Sequence, residues 1–295
     1  MQKIFVLLAL SMIAGLDSRA QTQEHFKVKD IETVESIHFF LKAASGTCEI
    51  RTRKGELPIN IMGQHNKEYS TCEFGEETEG EIKRAWFKIA DTGKEDFGSK
   101  LSKIFGKKKT DESNYWNIYL TDQKPYRLDL NYGVGKAYVD LSNIAVEACR
   151  INSGNAHVKV GYLSMEENKT KMDTLIVSVD LGDVEIENLD LANAKNILAE
   201  VGIGTLVMDF NNAPSESSDI WARIGAGSLY VNLPQDDMPV IIRMKGTSYN
   251  KFKLPKGFRQ ISENVFVNGS YSENASNLIS FNIDLSMGSV LFKAD

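Results

Sequence analysis

Residues 128–141, LDLNYGVGKAYVDL, and residues 149–160, CRINSGNAHVKV, repeat one pattern. When Gly135 and Gly154 are aligned, the residues five and three before each glycine, and two and four after it, are apolar. The residues between them are mostly polar. Alternation with a period of two predicts β-strands with one buried face. A glycine fixed at the centre of such a strand predicts a bend or a close approach of two backbones.

The same pattern recurs along most of the chain, and all four inward positions are apolar in each of its seven copies. Consecutive central glycines from 135 to 227 are 19, 28, 22 and 23 residues apart. This period predicts an all-β fold, a repetitive β-solenoid or stacked-strand array with glycine-centred repeats of 19–28 residues. The register also predicts that Gly204→Val destabilises the protein far more than Gly161→Val. The central, structural glycines are Gly46, Gly135, Gly154, Gly182, Gly204, Gly227 and Gly288.

Two longer runs carry a family resemblance. The run YWNIYLTDQKPYRLDLNYGVGKAYVDLSNI (115–144) resembles the core signature of the bacterial toast-rack family, which is related to the C-terminal domains of cell-wall-active-antibiotic-response proteins. The run SYSENASNLISFNIDLSMGSVLFK (270–293) resembles the end of those domains. The resemblance implies a β-solenoid fold and is nearly silent on chemistry. Some relatives are described as envelope-stress regulators, and structurally similar ones as candidate adhesins.

The first 20 residues are typical of a secretory signal peptide. Lys3 precedes an apolar run from Ile4 to Leu16, and a cleavage site follows Ala20. The run is too short to span a bilayer. The residue directly after the cleavage site is not a cysteine, so a lipid anchor is not expected. We therefore expect an exported protein of the periplasm or cell surface. Cleavage changes the formal net charge from −6 to −7, which argues against a nucleic-acid partner.

The mature chain is predicted to contain two parts. Residues 21–114 form an N-terminal β module, and residues 115–295 form the repeat domain. Within the module, residues 91–113 combine lysines with apolar residues on one side of a possible short helix, which can dock to a partner or to an anionic membrane surface. The alternative is a hairpin tip that rests on the domain. The predicted partner-binding residues are Phe97, Leu101, Ile104, Phe105, Lys107, Lys108 and Lys109.

Three cysteines remain after cleavage, an odd number for an exported protein. The register points Cys48 and Cys149 into the core, whereas Cys72 can face either side. A Cys48–Cys72 disulfide and three unpaired thiols are both compatible with the sequence. No Cys or His pair has the spacing of a zinc site, so no metal or other cofactor is predicted, and no catalytic residue is assigned.

Stacked repeats place outward residues in columns. Three residues after the glycines, the predicted ligand column contains Tyr138, His157 and Tyr230, and such aromatic rings can stack on sugars or can simply be ordinary strand residues. Five residues after the glycines, carboxylates accompany a lysine, as in polysaccharide lyases, although alternating charges on a solvated strand face explain these residues more simply. These residues are Asp140, Lys159, Glu187, Asp209 and Asn232.

Composition and motifs together favour a non-enzymatic envelope protein that binds a partner protein or a surface polymer such as a glycan, in the manner of an adhesin or an envelope-stress protein. The alternative is a polysaccharide-processing, lyase-like enzyme on a β-solenoid. That alternative predicts Ca²⁺-dependent release of unsaturated sugars and loss of this activity in Asp209→Ala.

Overall fold

The computed structural model describes residues 21–29, 31–93, 114–234, 238–246 and 251–294. In these ranges the chain forms sixteen β-strands of a single sheet and one short 3-10 turn, Leu189–Ala192. None of the described residues belongs to a helix long and apolar enough to cross a membrane. The strands are β1 Gln21–Lys27, β2 Ser36–Thr52, β3 Ile59–Asn66, β4 Ser70–Glu79, β5 Ile82–Asp91, β6 Tyr115–Leu120, β7 Tyr126–Asp140, β8 Val146–Gly161, β9 Met172–Glu187, β10 Ala194–Asp209, β11 Ser218–Leu233, β12 Val240–Gly246, β13 Lys251–Lys253, β14 Arg259–Ser262, β15 Val265–Val267 and β16 Ile279–Ala294.

Seven long strands stack side by side in parallel, in the order β2, β7, β8, β9, β10, β11, β16. This arrangement confirms the predicted all-β stacked-strand array. All four inward positions of the seven copies are buried, including Leu130, Val139 and Phe292. Each repeat cannot bury its own apolar face, so the core forms only between stacked neighbours.

Each long strand bends at its centre. In β10, buried residues alternate at 197, 199 and 201, whereas beyond Gly204 they lie at 206 and 208. This change of phase sends both halves of the strand toward the same core. We call the half before the bend the first arm and the half after it the second arm.

The glycine at the bend has a steric reason. Gly204 has φ +147°, and a Cβ there would lie 2.7 Å from the carbonyl carbon of Gly182, and closer to its oxygen. The same conflict recurs at Gly135, Gly227 and Gly288, each against the strand before it. In the positive-φ conformation of these bends, only a residue without a side chain lets neighbouring strands approach this closely.

The predicted alignment of Gly154 is wrong by two residues. In the ladder, Gly135 and Gly182 both pair with Ala156, so alanine occupies the bend of β8. Ala156 is not among the residues with positive φ, and β8 therefore turns the corner with a different backbone conformation. A shift of two residues preserves a period-two alternation, which is why the pattern could not detect it.

Both ends of the stack are closed by strands that are split at the bend. At one end, β5 pairs with the first arm of β2 and β6 with its second arm. At the other end, β12 and β13 pair with the two arms of β16. Antiparallel strands then pair with these outer edges, β4 with β5, β3 with β6 and β15 with β12. The outermost strands β1, β4 and β14 are shorter than the seven stacked strands, which limits the edge available for pairing with another chain.

The chain therefore does not stack in sequence order at its ends. β5 and β6 follow β2 in sequence but lie outside it, and the last strand, β16, inserts between β11 and β12. In sequence, the split pair β12 and β13 lies between Gly227 and Gly288, so no further long strand occupies this interval in the described residues. The predicted boundary at residues 114 and 115 falls between β5 and β6, which belong to the same sheet, and the division into two domains stays a prediction.

One hydrophobic cluster runs through the whole stack. Valine, isoleucine and alanine fill its middle, and aromatic rings fill its ends, as in the edge-to-face contact of Phe87 and Trp116 with centroids 4.7 Å apart. Cys48 and Cys149 are buried in this core, as predicted, and Cys72 is half-buried. All three cysteines are free thiols, so the Cys48–Cys72 disulfide does not form in this structure.

Candidate functional site

The second arms carry the outward columns in which a ligand site was predicted. Tyr138 and Tyr230 share one column, but Lys159, Glu185 and Val207 lie between them on β8, β9 and β10. Strands about 4.8 Å apart therefore separate the two tyrosines by about 19 Å. An uninterrupted aromatic row does not form.

His157 lies in the adjacent column. It pairs with Lys136 and Asp183, two residues from the position that the alignment on Gly154 gave it. Its ring is nevertheless near Tyr138, with centroids 6.3 Å apart in an edge-to-face arrangement. A ligand-binding role for Tyr138, His157 and Tyr230 stays a prediction.

The predicted partner-binding residues lie outside the described part of the chain. They are Phe97, Leu101, Ile104, Phe105, Lys107, Lys108 and Lys109. The described chain leaves β5 through Gly93 and returns at Asn114, whose carbonyl accepts a hydrogen bond from the Thr47 amide next to the Gly46 bend. The described residues that flank the segment therefore lie beside the bend of β2.

The second arms of β9, β10 and β11 end at an open groove of about 730 Å³, which we call the polar groove. Its polar wall contains Glu187, Asp209 and Asn232, and Asn232 donates a hydrogen bond to Asp209. Its apolar wall contains Leu163 and Met165, which are 56% and 51% exposed. The groove offers both hydrogen-bonding groups and apolar contact area to a bound molecule.

The charged residues beside the groove compensate one another. The Lys159 amine lies 2.6 Å from Glu187 Oε1 and 3.3 Å from Glu185 Oε2. The hydrogen bond to Glu187 is the main reason that the pKa of Lys159 is raised, so this lysine stays protonated at neutral pH. A lysine that acts as a general base needs the opposite shift.

Asp209 is perturbed in a different way. Burial raises the pKa of Asp209, and Glu187 and Glu185 raise it further, whereas its hydrogen bond with Asn232 acts against the shift. Glu187, Asp209 and Asn232 do line one surface, as the outward column predicted. Asp140 shares their column, since it pairs with Gly161, which pairs with Glu187. Lys159 does not, because it pairs with Tyr138 and Glu185.

Sequence reasoning missed an apolar patch on the first arms. Ile176, Leu198 and Trp221 are neighbours on β9, β10 and β11, and Trp221 is 47% exposed. We call these three residues the outer strip. They lie six residues before Gly182, Gly204 and Gly227, so a search of that position in the repeat would have found them.

Sequence reasoning also missed a group of possible metal ligands. Among the described residues, Glu24, His65 and Cys72 form the one such group, with ligand atoms within 4.8 Å of one another. Burial raises the pKa of the Cys72 thiol, and the Glu24 carboxylate adds to the shift. The thiol is therefore protonated at neutral pH in the absence of a bound cation, which makes Cys72 a weak nucleophile.

The architecture defines a class of protein: a β-stack of glycine-bent parallel strands with split strands at both ends. Residues 18–187 match the family model described as the N-terminal domain of toast_rack, DUF2154. The chain therefore belongs to the toast-rack family, which confirms the resemblance of residues 115–144.

Two solved structures are similar over nearly the whole chain. A candidate cell adhesion protein from Clostridium sporogenes is 16% identical with a TM-score of 0.50, and the match covers 94% of this chain and all of that one. A candidate adhesin from Bacteroides fragilis is 10% identical with a TM-score of 0.35, covering 94% of this chain and 98% of that one. The first similarity shows that the fold is shared. A search of curated proteins finds no significant match.

Proposed function

We propose that this chain is an exported, non-enzymatic protein of the cell envelope that binds a hydroxyl-rich surface polymer, in the manner of an adhesin. The observation that carries the proposal is the polar groove. Its amide and carboxylate groups can donate to and accept from hydroxyl groups, and Leu163 and Met165 offer apolar surface for the carbon faces of sugar rings. The description of the Clostridium sporogenes protein as a candidate cell adhesion protein agrees with this function.

The lyase alternative is weaker on chemical grounds. It requires a base that removes a proton from the sugar, and Lys159 is the lysine placed beside the carboxylates. Glu187 and Glu185 hold that lysine in its charged form, which has no lone pair to accept a proton. Release of unsaturated sugars by the mature protein in the presence of Ca²⁺, abolished in Asp209→Ala, would restore the enzyme hypothesis.

Co-sedimentation of the mature protein, residues 21–295, with isolated envelope polysaccharide tests the proposal directly. Leu163→Ala and Asn232→Ala should each weaken binding by about tenfold, the effect of losing one contact worth about 1.4 kcal/mol. Trp221→Ala removes an equally exposed side chain from the first arm and serves as the matched control. No retention of the wild-type protein by any envelope polysaccharide would refute polymer binding.

The outer strip supports a second candidate, binding of a partner protein. Trp221 is 47% exposed and lies between Leu198 and Asn282 on the neighbouring strands. Tryptophan is enriched among the residues that contribute most to binding at protein interfaces. Recovery of one specific protein from cross-linked envelope material, lost with Trp221→Ala and kept with Leu163→Ala, would favour this candidate over the groove.

The lysine-rich segment, residues 91–113, is tested by recovery from cross-linked envelope material with a bait that lacks residues 94–109. This bait should still bind polysaccharide if the groove is the polymer site. Loss of a membrane protein, or of anionic lipid vesicles, in that variant would assign the segment the predicted role in docking. Retention of every partner would leave the hairpin-tip interpretation of residues 91–113.

Export is tested by cell fractionation and N-terminal sequencing. We expect the protein in the periplasmic or surface fraction, with Gln21 as its first residue. A cytoplasmic protein that retains residues 1–20 would contradict both the cleavage site and the proposed envelope location.

A further inference from the structure

Three antiparallel cap strands meet at one end of the stack. Glu24 lies on β1, His65 lies near the end of β3, and Cys72 follows the turn into β4. The pairing of β1 with β3 aligns Glu24 with Gly63, two residues from His65. The turn after β3 is closed by a hydrogen bond from the Tyr69 amide to the Asn66 carbonyl, and it brings β4 back beside the histidine.

The tautomer of His65 follows from its surroundings. Its Nδ1 lies 3.2 Å from the carbonyl oxygen of Ser70 and 3.1 Å from the Ser70 hydroxyl. A carbonyl can only accept, and the hydroxyl has acceptors of its own in Asn66 and Asn114, so Nδ1 carries the proton. The ring is 2% exposed and is held against Trp116, with centroids 5.9 Å apart.

The lone pair therefore lies on the other ring nitrogen, Nε2, which accepts a hydrogen bond from the Cys72 thiol in the absence of a cation. It faces the Cys72 sulfur at 3.7 Å and the Glu24 carboxylate oxygen Oε1 at 3.8 Å. A histidine that donates Nδ1–H to a backbone carbonyl and directs Nε2 at other ligands is the arrangement found around protein-bound metals.

The spacing of these atoms also fits a metal centre. In a tetrahedral zinc site, ordinary bond lengths place the nitrogen and sulfur ligands about 3.6 Å apart and the nitrogen and oxygen ligands about 3.4 Å apart. The two observed distances differ from these values by only tenths of an ångström, and the Cys72 and Glu24 ligand atoms lie within 4.8 Å of each other, so side-chain rotations would bring the three ligands to tetrahedral spacing.

We propose that Glu24, His65 and Cys72 bind a divalent transition-metal ion, with Zn²⁺ as the ion that fits best. A thiolate, an imidazole and a carboxylate in tetrahedral spacing favour zinc over Mg²⁺ or Ca²⁺, which prefer oxygen ligands in larger number. Three protein ligands leave the fourth position for water or for a group from a partner. Glu24 is 27% exposed and Cys72 is half-buried, which gives the ion a path from solvent.

Lys67 is the competing cation at this site. Its amine lies 3.3 Å from Glu24 Oε1, and its side chain is 62% exposed and free to swing away. Metal binding would replace this surface ion pair. Lys67→Gln should therefore increase the affinity for Zn²⁺, a result that a purely structural role of the cluster would not produce.

The three cysteines give the site a specific chemical readout. Cys48 and Cys149 are buried, so a thiol reagent added to the folded protein should modify Cys72 first. One equivalent of Zn²⁺ should slow that labelling by at least about tenfold, because a metal-bound thiolate is not available to the reagent. Cys72→Ser should remove the fast-labelling thiol, and Co²⁺ should give a thiolate-to-metal absorption band that this variant lacks.

Variants distinguish bound metal from general stabilisation. Glu24→Gln and His65→Gln should reduce zinc affinity by at least about tenfold, the lower limit seen when even outer contacts of a metal site are lost. Glu24→Gln is the decisive variant, because its side chain is partly exposed and its loss should leave the fold intact. The matched controls are His25→Gln on β1 and Glu73→Gln on β4, which should bind Zn²⁺ as the wild type does. Equal labelling with and without Zn²⁺, or protection that persists in Glu24→Gln, would overturn the proposal.

Discussion

Replacement of Gly204 by alanine tests the reason for the glycine at six of the seven bends. Gly204 lies on β10 between Gly182 and Gly227, and all three have positive φ. An alanine Cβ would lie 2.7 Å from the Gly182 carbonyl carbon, whereas unstrained carbon contacts are about 3.5–4.0 Å. The carbonyl oxygen of Gly182 is closer still, so the strands must separate locally by more than an ångström, or β10 must adopt a different backbone conformation.

The expected cost has two parts. A non-glycine residue held in this region of φ costs about 1–3 kcal/mol. Separation of β9 and β10 at the bend weakens one or two ladder hydrogen bonds, each worth about 0.5–1.5 kcal/mol. We therefore expect Gly204→Ala to lower the free energy of unfolding by about 2–6 kcal/mol, a large fraction of the typical 5–15 kcal/mol.

Urea unfolding followed by circular dichroism measures this difference. The matched control is Gly269→Ala, because a Cβ at Gly269 would have no neighbouring atom within 4 Å and the residue has no positive φ, so its change should be within about 0.5 kcal/mol. Gly161 is a poorer control than the sequence predicted, since a Cβ there would lie 2.9 Å from that of Glu187. Equal midpoints for Gly204→Ala and Gly269→Ala would refute the steric explanation of the bends.

Four further predictions concern polar groups that are buried or partly buried. Tyr126→Phe should cost about 1–3 kcal/mol in chemical unfolding, because the buried Tyr126 hydroxyl donates to the Pro58 carbonyl at 2.7 Å. Tyr162→Phe should be neutral or stabilising in the same assay, because its buried hydroxyl has no hydrogen-bond partner among the described residues. Asn168→Ala should cost about 2–4 kcal/mol, since its side chain bonds both the amide and the carbonyl of Val146, whereas Asn196→Ala on the surface should change the melting temperature little. Asp209→Asn should stabilise the protein at pH 7, because the raised pKa of Asp209 means that ionisation of its carboxyl group opposes folding. The gain in the free energy of unfolding should vanish as the pH falls below the ordinary pKa range of aspartate. A gain that grows in acid would contradict the direction of the shift.

The prediction of the fold succeeded where it depended on one strand at a time. The alternation around Gly182, Gly204 and Gly227 identified the buried residues on both sides of each bend. It also placed Cys48 and Cys149 in the core. These properties are local, because the direction of a side chain in a strand depends only on the parity of its position.

The prediction failed where it depended on the alignment between strands. Alternation is unchanged by a shift of two residues, so the pattern also allows Gly154 at the bend that Ala156 occupies. The error moved His157 and Lys159 into the wrong columns. Hydrogen bonding between neighbouring backbones sets the register, and no single strand contains that information.

The sequence predicted only part of the polar groove. Asp209 and Asn232 were predicted as neighbours from the repeat, but Leu163 and Met165 belong to a loop without a repeat pattern. The residues of the outer strip occupy one fixed position of the repeat, six residues before the bend glycine.

The sequence by itself determined the stacked-strand fold, the family and the inward residues, because apolar alternation and bend glycines are properties of each repeat. Only the tertiary structure decided the order of the end strands, the columns on the surface and the meeting of Glu24, His65 and Cys72. Antiparallel pairing brings β1 beside β3, which is distant in sequence, and a tight turn brings β4 back beside β3. Period-two patterns do not specify which strands pair. The strands that close this end of the stack therefore bring together possible metal ligands that the repeat pattern does not predict.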